Sequence, residues 1–309
     1  MRGELSKRLN GFISTVNNAI AEAKASGLIA TPELAREKLE ALSELVTQIP
    51  DIAFTDSRTI TTDNQNITVK VYSPDPDKAL PVLIYFHGGG HMCGSAELYD
   101  PMCRKISLAG HCVVINVDYC LAPEYPYPQG LNEAEYAVKH YKEVLEGIAH
   151  TEELLIAGDS AGGAICTSLT MRQVTDPELN FSKQILIYPS VDYTMTSDSM
   201  EENGQGYFLE KARIEWYFNY YFLNQEDCKQ ASPLYGPVNS ESAETLIIIA
   251  GCDPLRDEGK SYAAKLENAG VSVEIHTFEQ MIHAFMNIED LVPNECKKLY
   301  QLIGQFIVK

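Results

Sequence analysis

The segment Gly158-Asp159-Ser160-Ala161-Gly162-Gly163 constrains the fold more than any other part of the chain. It follows an apolar run at 154–157 and leads into a helix-like run at 164–171. A serine between a strand and a helix, with glycine two positions to either side, is typical of a sharp turn that exposes the serine hydroxyl above the strand end. The alternative is a glycine-rich turn whose serine only caps the helix.

Composition indicates a globular protein with one large core. The chain has 309 residues, of which 45% are hydrophobic and 22% are charged, and its formal net charge is −19. This acidic balance argues against nucleic acid and anionic membranes as partners, because both bind basic surfaces. No apolar signal core follows residues 1–8, and no run approaches the roughly 18 apolar residues of a membrane span.

The eight cysteines are scattered, with neither a C-x-x-C pair nor a zinc-binding spacing. Several lie inside apolar runs, which is typical of buried free thiols in a reducing compartment. We therefore expect a cytoplasmic protein without a structural disulfide, a metal or another cofactor.

The hydrophobic pattern predicts two amphipathic helices, at 5–26 and 31–50, followed by a mostly parallel sheet. Strands at 57–62 and 67–73 flank a turn at 63–66 and are expected to pair as an antiparallel hairpin. After them, apolar strands alternate with helices, which predicts a parallel sheet covered on both faces. The further predicted strands are 82–86, 112–117, 154–157, 184–188, 246–250 and 271–278, and the helices are 100–109, 130–147, 161–174, 256–269 and 294–307.

An aromatic segment interrupts this alternation between the strands at 184–188 and 246–250. A simple crossover needs far fewer residues, so we interpret 194–232 as an insertion with a helix near 209–224. Its aromatic residues either pack on the core or form a cap over a site. The predicted organisation is one continuous unit, in which 51–193 and 233–309 form the core, while 1–50 and 194–232 form the cap.

Candidate partners for the serine must follow later strands at the same edge of the sheet. A serine needs a base to take its proton, and a carboxylate to orient that base. In this architecture the order along the chain is serine, acid, histidine. His283 follows the last strand and is favoured over His276, which lies inside it. Asp253 follows the strand at 246–250 directly, whereas Asp257 and Glu258 are predicted to lie in the first turn of the next helix.

A glycine-rich loop follows the strand at 82–86, with the sequence His87-Gly88-Gly89-Gly90. Such a loop lets the backbone approach a ligand and direct N–H groups toward it. With the N–H of Ala161, these groups would form an oxyanion hole, and the alternative is a merely flexible loop.

Taken together, these motifs resemble the hormone-sensitive-lipase-like branch of the α/β-hydrolases, the bacterial family IV esterases. The matching stretches are 87–90, 118–119 with 121–124, 158–163, 202–204 with 206–209, 253–259 and 282–285. The resemblance implies an eight-stranded, mostly parallel sheet with a helical cap built from the N-terminal helices and the insertion. It also implies Ser160, Asp253 and His283 as the catalytic triad, with Gly89, Gly90 and Ala161 as oxyanion donors. His87 and Gly88 would support the loop.

Two positions depart from the family pattern. Cys120 stands where the family usually has an arginine, so the salt bridge of that arginine is in doubt. His91 stands where a bulky apolar residue usually follows the glycines. It either makes the substrate pocket more polar or points to solvent.

We expect a serine carboxylesterase that hydrolyses short- to medium-chain esters of small molecules through an acyl-enzyme. The alternatives are an amidase or lactonase with the same triad, a non-catalytic small-molecule receptor, and, least favoured, a structural or protein-interaction role. The family resemblance is also compatible with a homodimer.

Overall fold

One eight-stranded sheet organises the protein in a computed structural model that describes residues 1–61 and 66–309. Numbered along the chain, its strands lie in the order β1-β2-β4-β3-β5-β6-β7-β8. Strand β2 runs antiparallel to both of its neighbours, and the pairs from β4 to β8 are parallel. The strands are β1 (Phe54–Thr61), β2 (Asn66–Ser73), β3 (Leu80–Phe86), β4 (Val113–Asp118), β5 (His150–Asp159), β6 (Lys183–Ile187), β7 (Glu244–Cys252) and β8 (Val273–Ile282).

Within residues 1–61 and 66–309, ten α-helices flank the sheet or connect its strands. They are α1 (Asn10–Ala25), α2 (Pro32–Glu40), α3 (Asp100–Gly110), α4 (Gln129–His140), α5 (Ala161–Gln173), α6 (Asp198–Glu202), α7 (Lys211–Tyr221), α8 (Cys228–Ala231), α9 (Arg256–Asn268) and α10 (Pro293–Ile307). Short 3-10 helices extend several of these elements, among them Ala41–Leu45 after α2 and Phe285–Leu291 after β8.

The central strands are apolar on both sides because each side of the sheet packs against helices. In β3, Val82 and Ile84 belong to one buried cluster, while Leu83 and Tyr85 belong to the cluster on the opposite side. Helices α4, α5 and α9 contribute to the first cluster, whereas α3 and α10 contribute to the second. This two-sided burial explains the continuous apolar runs of the sequence and confirms the predicted fold class.

The predicted order of strands and helices is confirmed, although several boundaries move. The second N-terminal helix stops as α2 at Glu40 and tightens into the 3-10 turn Ala41–Leu45, rather than continuing to residue 50. Tertiary packing overrides the local helical pattern there, since leucines of this segment lie against the core. Strand β8 continues to Ile282, beyond the predicted end at 278. The predicted turn at 63–66 lies outside the described residues, except for Asn66.

Hydrogen bonds and a ring contact connect the N-terminal segment to the segment that follows α6. The Gly3 N–H donates to Asn203 Oδ1 at 3.0 Å, and the Tyr207 hydroxyl donates to the Gly3 carbonyl at 2.6 Å. Farther along, the rings of Phe12 and Phe208 lie 5.6 Å apart. The two predicted cap segments, 1–50 and 194–232, are therefore in direct contact with each other.

Two further findings concern the chain as a whole. Among the described residues, no helix is both long and apolar enough to cross a membrane. All eight cysteines lie in the described part, all are unpaired, and six of them are buried.

The contact between α10 and α3 generates a stability prediction. A Cβ atom at Gly304 would lie 2.3 Å from the Ala109 carbonyl oxygen. Gly304→Ala should therefore force the helices apart and lower the free energy of unfolding by about 1–3 kcal/mol, measured by denaturant titration. Gly11→Ala is the matched control, because nothing lies within 4 Å of that position on α1. Equal stability of the two variants would contradict the close packing.

Candidate active site

Three side chains from the carboxyl ends of three strands form one hydrogen-bonded chain. Ser160 follows β5, Asp253 follows β7 and His283 follows β8. The Ser160 Oγ lies 2.8 Å from His283 Nε2, and His283 Nδ1 lies 2.7 Å from Asp253 Oδ2. With the imidazole proton on Nδ1, the histidine donates to the carboxylate and accepts from the serine hydroxyl. This geometry is what a general base for serine requires.

The backbone of Ser160 adopts a conformation that L-residues rarely populate, with φ 52° and ψ −115°. Two close approaches explain the flanking glycines. A Cβ atom at Gly162 would lie 1.8 Å from the Phe86 carbonyl oxygen, and one at Gly158 would lie 2.4 Å from the Gly162 backbone. The Ser160 N–H donates to the Ile187 carbonyl at 2.9 Å, which fixes the turn against β6. The surrounding sheet therefore holds the strained serine in place.

The loop after β3 turns back on itself and presents its backbone toward the serine. Gly89 and Gly90 have φ values of 124° and 64°, and the Gly89 carbonyl accepts the Cys93 N–H at 2.9 Å. Within the described residues, the N–H groups of Gly89, Gly90 and Ala161 have no hydrogen-bond acceptor. All three residues line the same cavity as Ser160. Three unpaired donors beside a serine hydroxyl form a suitable environment for an oxyanion.

Asp159, the residue before the serine, holds the glycine loop. Its Oδ1 accepts the Gly88 N–H at 2.8 Å and the Tyr85 hydroxyl at 2.8 Å, while its Oδ2 accepts the Tyr99 hydroxyl at 3.1 Å. The side chain is buried, and this burial raises the pKa of Asp159 to about 6, despite the opposing effect of the three hydrogen bonds. Because the Gly88 N–H already donates to Asp159, it fixes the shape of the loop.

His87 supports the same loop from behind. Its ring is buried between the rings of Tyr99 and Tyr119, with centroid distances of 5.5 Å and 4.5 Å. The Nδ1 donates to the Gly88 carbonyl at 2.8 Å, and burial lowers the pKa of His87. A neutral imidazole in this position is a packing element of the loop.

The loop that carries Asp253 is fixed by hydrogen bonds on both of its sides. Asp253 is fully buried, and its Oδ1 accepts the Leu255 N–H at 2.8 Å. The buried amide of Asn203 donates to the carbonyls of Gly251, at 3.3 Å, and Asp253, at 3.1 Å. Asn203 thus connects the segment that follows α6 to the backbone of the loop that carries Asp253.

Asp257 and Glu258 both lie in the first turn of α9, as predicted, but Glu258 has a further role. It is buried, and its Oε1 accepts the N–H groups of Val191, at 2.7 Å, and Asp192, at 3.2 Å. Burial raises its pKa well above the ordinary value of a glutamate. Glu258 therefore fixes the chain that leaves β6 beside the serine.

A cavity of about 600 Å³ opens above Ser160 and His283. Its apolar walls come from the N-terminal helices and from the segment around α7, and the glycine loop forms part of its floor. The apolar wall residues include Phe12, Val16, Ile20, Leu39, Leu42, Phe208, Ile214, Trp216 and Phe218. Such a volume and lining are typical of sites for small organic ligands.

The structure shows the surroundings of His91 and Cys120, the two positions that depart from the family pattern. His91 is buried, stacks on Tyr221 with 4.0 Å between ring centroids, and has its Nε2 3.2 Å from the Tyr193 hydroxyl. It lines the cavity rather than pointing to solvent, and burial lowers its pKa to about 3. At Cys120, the backbone N–H donates to Glu133 Oε2 at 2.7 Å. Glu133 belongs to none of the ion pairs among the described residues, and burial raises its pKa.

The three candidate triad residues meet in one place, whereas the alternative histidine lies elsewhere. Ser160, Asp253 and His283 lie beside the N–H groups of the glycine loop, whereas His276 lies on β8, half-exposed, beside Glu274. Their catalytic roles stay predictions, which we take up below. Sequence reasoning assigned no role to Asp159 or Asn203, although both lie in motifs that carried the family resemblance.

Comparison with known proteins identifies the family. A family model described as alpha/beta hydrolase fold matches residues 83–287, and one described as carboxylesterase family matches residues 39–123. An ethyl acetate hydrolase from Pseudomonas putida is 33% identical over 279 residues, which cover 87% of each protein. The carboxylesterase NlhH from Mycobacterium tuberculosis is 33% identical over 271 residues, which cover 84% of each.

The chain therefore belongs to the α/β-hydrolase family, which confirms the predicted resemblance. Among solved structures, an ester hydrolase from the metagenome of Lake Arreo superposes with a TM-score of 0.88 at 28% identity. The alignment covers 98% of each chain, so it includes the segments outside the core.

The hydrogen bond between Asp159 and Gly88 predicts how substitutions of Asp159 affect stability and turnover. Asp159→Ala leaves three buried donors without an acceptor, and each costs about 1–3 kcal/mol of stability. It should also lower kcat more than it changes KM, because Gly88 loses its anchor. Asp159→Asn keeps an acceptor and is the matched control. Denaturant titration and steady-state kinetics on both variants measure these effects, and equal behaviour of the two would contradict the anchoring role.

The raised pKa of the Asp159 carboxyl predicts how the stability of the protein depends on pH. Its pKa is raised from 3.8 in the unfolded chain to about 6 in the fold, so proton uptake favours the folded state at low pH. This contribution is lost as the pH rises from about 4 to about 6, by about 1.4 kcal/mol per pH unit. The stability of Asp159→Asn relative to the native chain should therefore rise across this window. A constant difference would show that Asp159 does not titrate there.

Proposed function

We propose that the protein is a serine carboxylesterase that acts through an acyl-enzyme, with Ser160, Asp253 and His283 as its catalytic triad. The observation that carries the proposal is the continuous hydrogen-bonded chain from Ser160 Oγ through His283 to Asp253, located on the floor of an apolar cavity. The names of the relatives, which are ester hydrolases and carboxylesterases, support the predicted class of activity.

In the first half-reaction, His283 Nε2 takes the proton of Ser160 as its Oγ forms a bond with the ester carbonyl carbon. The negative charge that develops on the carbonyl oxygen is stabilised by the N–H groups of Gly89, Gly90 and Ala161. The tetrahedral intermediate then breaks the bond to the alcohol oxygen, which leaves with the proton from His283. Ser160 now carries the acyl group.

In the second half-reaction, water gives a proton to His283 and attacks the acyl carbon. The same three N–H groups stabilise the second oxyanion, and His283 returns the proton to Ser160 as the carboxylic acid leaves. Asp253 keeps the imidazole in the required tautomer and stabilises its positive form in both steps. No net proton remains on the enzyme at the end of the cycle.

The substrates we propose are small esters with short to medium acyl chains. The apolar walls favour an aliphatic or aromatic group beside the ester, and about 600 Å³ accommodates a molecule of drug-like size. The helices that build these walls, from residues 1–50 and 194–232, would act as the cap of the site. His91, held neutral by burial, adds one polar ring to the wall beside the glycine loop.

We also propose a reducing, cytoplasmic environment, which the eight unpaired cysteines support. Homodimer formation stays a prediction from the family resemblance. Light scattering coupled to size-exclusion chromatography measures it directly.

The triad assignment predicts the outcome of a kinetic comparison on 4-nitrophenyl esters of increasing acyl length. Ser160→Ala should lower kcat by at least about 10⁴-fold, because the nucleophile is lost. Asp253→Asn should lower it by about 10⁴-fold while the fold persists, because the imidazole tautomer changes. Turnover by Ser160→Ala equal to that of the native chain would contradict the triad. If the native protein hydrolyses amides or lactones but not esters, the substrates are amides or lactones instead.

The cap assignment predicts a separate effect on chain-length preference. Val16 of α1 lines the cavity, so Val16→Trp should obstruct it and lower kcat/KM for octanoate relative to acetate esters by about tenfold or more. Thr15→Trp is the matched control, because Thr15 is exposed on the same helix and does not line the cavity. Identical acyl-length profiles for the native chain and both variants would contradict the cap assignment.

A further inference from the structure

Three basic side chains from three different helices converge on the cavity above Ser160. They are Lys24 of α1, Lys38 of α2 and Arg213 of α7. Two acidic residues line the same cavity, Glu210 near its cationic side chains and Asp159 on its floor. The carboxylate of Asp159 already accepts three hydrogen bonds. The cavity therefore has more basic than available acidic groups.

Pairing within the protein leaves two of these cations available. Lys24 lies 3.6 Å from Glu210, and this pair is nearly neutral as a unit. Lys38 and Arg213 belong to none of the ion pairs formed within residues 1–61 and 66–309. Lys38 is exposed, whereas Arg213 is half-buried. Most other buried or half-buried cations in the described part of the chain do have acidic partners, as Arg36 has in Glu124 and Arg256 has in Asp257.

Such a local excess of positive charge stands out in this chain. Its 43 acidic residues outnumber its 24 lysines and arginines, and the formal net charge is −19. A general requirement for solubility does not explain why a half-buried arginine without an acidic partner lies at this cavity. A negatively charged ligand would be repelled by the rest of the surface and attracted at this point.

Two aromatic rings of α7 hold the guanidinium of Arg213 in a defined position. Its guanidinium carbon lies 5.0 Å from the ring centroid of Trp216 and 5.9 Å from that of Tyr217. The Tyr217 ring in turn covers Gly90, where a Cβ atom would lie 2.7 Å from it. Stacking on aromatic rings uses the face of a guanidinium and leaves its N–H donors free for a carboxylate.

We propose that the preferred substrates are esters that carry a carboxylate at a distance from the scissile bond. Arg213 binds this carboxylate, and Lys38 adds positive charge beside it. The carboxylate belongs either to the acyl group, as in half-esters of dicarboxylic acids, or to the alcohol. This proposal rests on the proposed esterase function and names the substrate class of the same site.

The test compares charged esters with neutral esters of similar length by following acid release in a pH-stat. For the acyl side, monomethyl succinate, glutarate, adipate and suberate are compared with methyl esters of monocarboxylic acids of the same carbon number. For the alcohol side, 4-acetoxybutanoate is compared with butyl acetate. For each pair, the measured quantity is the ratio of kcat/KM for the charged ester to that for the neutral ester.

In the native chain, the ratio should exceed one for at least one charged ester, on whichever side of the ester bond its carboxylate lies. Arg213→Gln should lower that ratio by about tenfold or more, the effect of losing a charge-assisted hydrogen bond. Lys38→Gln should lower it less. Lys297→Gln, an exposed lysine on α10 away from the cavity, is the matched control and should leave it unchanged.

Ratios below one for every charged ester, or the same ratio in Arg213→Gln as in the native chain, would overturn the proposal. If the neutral esters are still hydrolysed in that case, the esterase function stands and only the substrate class is wrong. If folded native protein hydrolyses neither charged nor neutral esters, both proposals are wrong.

Discussion

The contact between the backbone of Gly162 and the Phe86 carbonyl is the constraint on which the site depends. No side chain fits at this position, since a Cβ atom would lie only 1.8 Å from the oxygen. The contact brings the start of α5 against the end of β3, so the strained Ser160 and the glycine loop share one edge of the sheet. Asp159 completes the junction by binding Gly88 across it. Ser160 and the N–H groups of the glycine loop are thus parts of one packed unit, held by the sheet rather than by flexible loops.

Among the contacts between the core and the segments 1–50 and 194–232, two lie close to the site. On one side, Asn203 connects the N-terminal residues, through Gly3, to the loop that carries Asp253. On the other, Arg36 of α2 donates to the Met92 carbonyl, just beyond the glycine loop, and pairs with Glu124. The segments that enclose the cavity therefore contact both the Asp253 loop and the residues just after the glycine loop. Substitutions in them are expected to alter substrate preference through shape and charge, and the cations above the serine belong to these segments.

The sheet and the meeting of Ser160, His283 and Asp253 could be predicted from the sequence because their signals are local. Apolar runs, the G-x-S-x-G turn and polar residues directly after strands each occupy a few consecutive positions. The partners of Asp159 were missed because Tyr85 and Tyr99 have the pattern of ordinary core residues, and their hydroxyls meet the carboxylate only in the fold. Asn203 lies 50 residues before the aspartate loop that it holds, without any periodicity to connect them. The early end of α2 likewise depends on packing against distant parts of the chain.

The most direct test of the central claim is stoichiometric labelling of the serine by diethyl 4-nitrophenyl phosphate. Ser160 should displace one equivalent of 4-nitrophenolate per chain, and mass spectrometry of the digested protein should find a single diethylphosphoryl group on Ser160. His283→Ala should label far more slowly, because Nε2 no longer removes the serine proton. Labelling at another residue, or a rate unaffected by His283→Ala, would contradict the account.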